Sequence, residues 1–151
     1  MRTGDLRAWA LACAMVFAGA ALAQVTPDVG SMSAEEIVAL RVDTMRLNGA
    51  TMRGANTLSG AEAVAVGEQL LANARLLKLL FPYGSNPGNS HALDLIWTDW
   101  DNFIAILDKL EADAQAMVSA AQAGDQAAYV AAVSEAGSNC NTCHSTYRAP
   151  L

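Results

Sequence analysis

The chain has 151 residues, 53% of them hydrophobic, with 11 Gly and 4 Pro. That size sets a prior of one domain, and the Ala-, Leu- and Met-rich make-up favours helix over a collagen-like, low-complexity or disordered chain. A formal net charge of −6 argues against nucleic acid as a partner, because binders of a phosphate backbone cluster Lys and Arg.

Residues 1–23 have the layout of a cleaved secretory signal peptide. Arg2 and Arg7 make a basic start, Ala8 to Ala20 is uncharged and apolar or Gly, and Ala21-Leu22-Ala23 is a small-x-small cleavage signal before Gln24. The apolar stretch falls short of the ~20 residues a membrane-spanning helix needs, so an anchor is the weaker reading. No twin-Arg pair is present, which favours the general secretory route. Acylation of Cys13 is disfavoured by Ala10 three residues before it, where such sites prefer Leu. Cleavage leaves residues 24–151 as the mature, periplasmic domain, with no stable membrane insertion and with Cys140 and Cys143 as its cysteines.

The first helix is expected over about 33–56. Ser33-Ala34-Glu35-Glu36 is a capping box. Two stripes follow at helical spacing: Ile37, Leu40, Thr44, Leu47, Thr51, and Arg41, Met45, Asn48, Met52. Gly49 and Gly54 weaken the helix, and glycines there can also admit a neighbour or a ligand. A second capping box, Ser59-Gly60-Ala61-Glu62, opens a helix over about 60–80 that carries Val66, Leu70, Leu71, Leu77 and Leu80 and ends at Phe81-Pro82. Residues 82–93 are a loop by composition. The third helix starts within Leu95–Asp101, with Asp94, Thr98 or Asp99 as N-cap. Its apolar face is Phe103, Ile106, Leu107, Leu110, Ala114 and Met117, and Gly124 closes it. Asp125 caps the fourth helix, which turns Tyr129, Val130 and Val133 inward and runs to about Tyr147. The fold class these elements imply is all-α, an antiparallel up-down-up-down four-helix bundle.

Cys140-Asn141-Thr142-Cys143-His144 carries the chemistry. Cys-x-x-Cys-His is the signature of covalent haem attachment. Residues i and i+3 share a helix face, so two thiols there can form thioethers with the two vinyl groups of one porphyrin while the adjacent His turns to the iron. A thioredoxin-like pair needs a βαβ setting, a structural zinc site needs about four ligands, and a plain disulfide leaves the His without purpose.

Several further stretches make the sequence similar to class II c-type cytochromes, the cytochromes c′ and their low-spin relatives. They are Arg41-x-x-x-Met45 with Asn48-Gly49 and Met52, Leu80-Phe81-Pro82, Ile96-Trp97, and Cys140 through Arg148 at the extreme C-terminus. The resemblance implies one covalent haem c in a four-helix bundle, with His144 as proximal iron ligand and the first helix lining the distal side. Met45 then stands where such proteins place either an iron-binding Met or an apolar blocking residue. A Met ligand suits a one-electron carrier and raises the potential; an open sixth site suits a protein that binds NO or CO to sequester or sense it. The segment Met45–Met52 leans toward the carrier, which is not an enzyme; a peroxidase would want a distal His with Arg. The bland reading of Met45 is core filling. Met52 and His91 are weaker ligand candidates. Arg148, one turn beyond His144, and Arg41 could each pair with a haem propionate, although Arg148 could equally meet a helix-end carbonyl and Arg41 could simply be solvated. Tyr147, Trp97 and Phe103 read as core or haem-wall packing. The acidic set Asp94, Asp99, Asp101, Asp108, Glu111 and Asp113 reads as a solvated face that could steer a basic redox partner. A homodimer through the first two helices is also implied by the resemblance, as are redox partner proteins; the Gly49/Ala50 and Gly54/Ala55 pairs would permit such close packing but could equally serve the monomer core.

Overall fold

The computed structural model describes residues 27–88 and 90–150, so the expected signal segment at 1–23 lies outside the described residues. Helices α1 (Ala34–Met52), α2 (Gly60–Leu79), α3 (Leu95–Thr98), α4 (Trp100–Ala123) and α5 (Gln126–Tyr147) follow one another, and the four long ones form the bundle. None of the described helices is long and apolar enough to cross a membrane.

The ends are set by local chemistry. At Ser33 the capping box forms as expected: its Oγ accepts from Glu36 N, and Glu36 Oε2 accepts from Ser33 N. The second box does not form. Gly60 takes φ 56°, outside right-handed helical space, and Ser59 makes no side-chain cap bond. Helix α1 also stops four residues short of the expected 56, because Gly54 adopts φ 74° and starts a separate 3-10 turn at Ala55–Thr57. Gly54 therefore ends the helix instead of weakening its interior. At the other end of the bundle Gly124 is left-handed (φ 70°), with Gly124 N bonded to Ala121 O and Asp125 N to Ala120 O. Asp125 Oδ1 then accepts from Ala128 N at 2.9 Å and starts α5 at once. A helix closure and a helix start share two residues, so α4 and α5 must be antiparallel.

The core runs through Leu70, Ala74 and Leu77 of α2, Phe103, Leu107, Leu110, Ala114 and Met117 of α4, and Tyr129, Val133 and Ala136 of α5. Val130, expected inward, is 37% exposed, as is fitting one residue beyond fully buried Tyr129. The tightest approach is at Gly67, where an added Cβ would come 2.9 Å from Val118 Cγ2 and 3.0 Å from Val118 N. Gly67→Ala is therefore expected to destabilise the protein by about 1–2 kcal/mol, overpacking of ~1–3 kcal/mol being partly offset by better helix propensity; a denaturant melt measures it.

Ion pairs brace the outside. Lys78 bonds Asp108 and Glu111, Arg75 bonds Glu111, and Lys109 bonds Asp113 and Glu135. Each exposed pair contributes roughly 0–1 kcal/mol. Part of the expected acidic face is paired: Asp108, Glu111 and Asp113 hold lysines, while Asp94 and Asp99 accept hydrogen bonds from uncharged side chains, which offset no charge. Helix α1 leans on α2 and scarcely touches α5. The candidate site lies in that gap.

Candidate functional site

Helix α5 brings Cys140, Cys143 and His144 to the gap between it and α1. One lobe, of about 200 Å³, is lined by Met45, Asn48, Gly49 and Met52 from α1, Leu77 from α2, Ile106 and Leu110 from α4, and Gly137 with the Cys-x-x-Cys-His side chains from α5. A second lobe, of about 470 Å³, shares Met45, Cys143 and His144 with the first and extends to Arg41, Phe81, His91, Phe103, Tyr147 and Arg148. The structure thus gathers Arg41, Met45, Cys140, Cys143, His144 and Arg148 around one cleft, with Met52 and His91 beside them. The stripe Arg41–Met45–Asn48–Met52 is the α1 face that lines it, whereas Leu47 of the other stripe is 45% exposed.

The residues fit a haem. A Cβ placed on either Gly49 or Gly137 would meet no atom within 4 Å, so both walls of the smaller lobe are flat where a broad ring must pass. Gly49 belongs to this cleft, the ligand-side one of the two uses expected of it. The thiols of Cys140 and Cys143 are half-buried and free, and burial raises both, Cys143 to about 11, so they stand as protonated thiols. Burial first, then the charge of Arg148, holds the His144 imidazole below its ordinary range. It is neutral at neutral pH, with a nitrogen lone pair for a metal.

Of the two readings of Arg41, the solvated one does not hold: the residue is 5% exposed. Its Nε and Nη2 donate to Leu80 O at 2.9 and 2.7 Å, Nη2 also donates to Ser85 O and Oγ, and the guanidinium sits 4.1 Å from the Phe81 ring centre. All these partners are uncharged, and burial lowers its pKa to about 10, leaving it cationic at neutral pH. A buried cation on a cleft wall without a carboxylate invites an anion there, and haem brings two propionates. Arg148 is exposed at the rim of the same lobe, on the side of His144.

The loop expected at 82–93 is part of the site. Leu93 N donates to Tyr147 O, Ala149 N donates to His91 O, and Ser90 Oγ lies 3.5 Å from Arg41 Nη1. The loop ties the α1 wall to the end of α5. His91 is exposed at the rim. Trp97 stays off the cleft and donates its indole N–H to Phe81 O at 3.1 Å. Phe103 meets Tyr147 edge-on at 5.2 Å between ring centres.

Tyr147 OH donates to Asp99 Oδ2 at 2.6 Å. Burial first, and Asp99 second, raise the phenol to about 12. An unfolded tyrosine ionises near ~10, so the stabilisation is whole below that pH and is lost as pH rises through the folded value. Asp99→Asn should lower the Tyr147 midpoint in an ultraviolet tyrosinate titration, while an unmoved midpoint would leave burial as the sole cause.

A family model described as Cytochrome C′ matches residues 35–148. Cytochrome c-556 of Agrobacterium fabrum is 34% identical over 99 residues, covering 66% of this chain and 66% of that protein, slightly under two thirds of its length. Cytochrome c′ of Pararhodospirillum photometricum is 33% identical over 107 residues, covering 70% of this chain and 85% of that protein. Among solved structures, a nitric oxide complex of a mutant cytochrome c′ from Alcaligenes xylosoxidans superposes with a TM-score of 0.69 at 24% identity, covering 78% of this chain and 98% of that one.

Proposed function

Because this chain belongs to the cytochrome c′ family and its cofactor is haem c, we propose that it is a periplasmic one-electron carrier, with His144 and Met45 as the axial ligands of its single haem. The observation that carries this reading is that Met45, a thioether on the α1 wall, shares both lobes of the cleft with Cys143 and His144 on the α5 wall. Bound haem supplies a one-electron couple between ferrous and ferric iron.

The chain's own residues do the rest. Cys140 and Cys143 tether the ring. Neutral His144 offers a nitrogen donor and Met45 a soft sulfur, a pairing that favours the reduced state and changes little between the two. Arg41 and Arg148 take the propionates, one from the α1 wall and one from the α5 side. Leu77, Ile106, Leu107 and Leu110 keep water from the ring. The segment at 1–23 would export the chain, and redox proteins of the same compartment would exchange electrons with it.

A second reading, capture of a small diatomic gas, draws support from the nitric oxide complex of the structural neighbour and from the apolar lining of the smaller lobe. Visible spectra of the holoprotein, oxidised, reduced, and reduced under CO, separate the two. Sharp, split bands in the reduced form without a CO response are expected; broad high-spin bands that sharpen and shift under CO would overturn the carrier reading in favour of gas binding.

A further inference from the structure

A polar relay crosses from α2 to the cleft. Gln69 Nε2 donates to Asn73 Oδ1 at 3.0 Å, and Asn73 Nδ2 donates to Asn48 Oδ1 at 2.7 Å. Asn48 and Asn73 are each only 6% exposed. Such a chain has a direction: each amide uses its oxygen to accept and its nitrogen to donate. At the α1 end the oxygen of Asn48 is spoken for, and among the described residues nothing accepts from its Nδ2. That nitrogen is not sealed inside the protein as the unpartnered Tyr129 hydroxyl is. Asn48 lines the smaller lobe, one helical turn from Met45. An amide donor without a protein partner in a largely apolar wall gains from any acceptor brought near it.

We propose that Asn48 is a positioning residue for the sixth iron ligand, its side-chain amide donating to the Met45 sulfur and so fixing the thioether and drawing electron density from it. This rests on the reading of Met45 as an axial ligand. The thioether sulfur is a weak acceptor with a second lone pair left after it binds iron. A donor on that pair weakens the sulfur's push toward the metal, which favours ferrous over ferric iron. Asn73 and Gln69 act behind it by fixing which end of the Asn48 amide faces the cleft. Met52, on the same α1 face, has the same chemistry available but stands one turn beyond Asn48, on the side away from Met45.

The test is a redox titration of holoprotein carrying Asn48→Leu, which keeps the volume and removes the amide. At a fixed solution potential near the wild-type midpoint, the ferrous-to-ferric ratio is expected to fall three- to tenfold (59 mV per tenfold), with the six-coordinate spectrum retained. Repeated in a Met45→Ala background, the same substitution should change the ratio less than twofold, because a coupled pair loses its interaction once either member is gone. An equal fall in both backgrounds would mean that Asn48 acts through the fold, and no fall in either would also overturn the proposal. Should Asn48→Leu fail to take up haem, proton NMR of the wild-type ferric holoprotein decides. Paramagnetically shifted, slowly exchanging Asn48 amide protons are expected; unshifted ones would overturn it. A wild-type protein that binds CO would sink the Met45 reading, whereas a CO-inert wild type with an unresponsive Asn48 would sink this inference alone.

Discussion

Met45→Ala is expected to turn a reduced holoprotein that ignores CO into one that binds it readily. On the proposed ligation the thioether and CO compete for one coordination site, so a sulfur–iron bond of even ~3 kcal/mol would hold CO affinity down about a hundredfold. Removing the sulfur lifts that competition and leaves the rest of the cleft in place. The substitution also removes packing, so Met45→Leu is the informative companion. Leucine fills a similar volume without a donor atom, and volume-conserving swaps usually cost under ~1.5 kcal/mol. Both variants should show high-spin bands and a CO response, while Met52→Ala should keep the wild-type spectrum. A Met45→Leu protein that stays low-spin and inert to CO would assign Met45 to packing alone. CO titrations of the three reduced variants, read in the visible, make the comparison.

How much of this could be read from the chain depends on how local each signal is. The Ser33–Glu36 box, the Gly124–Asp125 junction and the Cys-x-x-Cys-His run are contacts within a few residues, and all three are legible. The Ser59 box failed at that same range: Gly60, lacking a Cβ, takes a positive φ outside helical space, and Ser59 makes no side-chain cap bond. The stripe Arg41–Met45–Asn48–Met52 was visible as a periodicity, but the other stripe also buries Ile37 and Thr44, and two such stripes cannot say which one lines the cleft. Its polar members are the clue: an Arg and an Asn at inward spacing imply buried partners. Those partners lie far off in sequence, Leu80 and Ser85 for Arg41 and Asn73 for Asn48, and no local pattern names them. Gly67 was missed for the same reason, since its neighbour Val118 belongs to another helix. The pairing within the acidic set was not legible because its lysines reach across from α2 or along α4.

If Arg41 pairs with a haem propionate as proposed, Arg41→Leu is expected to cost the holoprotein about 3–5 kcal/mol, the range seen when one partner of a buried charged pair is removed. The guanidinium satisfies Leu80 O, where the residue is fully buried, and Ser85, which is 2% exposed. Leucine would leave those acceptors dry, at ~1–3 kcal/mol for each group that finds no water. It would also release the loop from α1, and with that loop the strap that Leu93 N and His91 O make to the end of α5. An opposing contribution exists. Burial lowers the folded-state pKa to about 10, so the unfolded state holds this proton more tightly and the charge itself opposes folding at neutral pH. On the proposed pairing a propionate supplies the missing countercharge, so the loss should be larger with haem bound than without it. Arg41→Lys keeps the charge but loses the planar fork that reaches Leu80 O twice, and should fall between the two proteins. Guanidinium unfolding of holo- and apoprotein, each compared with its own wild type, measures the difference. An Arg41→Leu penalty that is equal in the two forms would remove the propionate from the account and leave Arg41 as a brace between α1 and the loop.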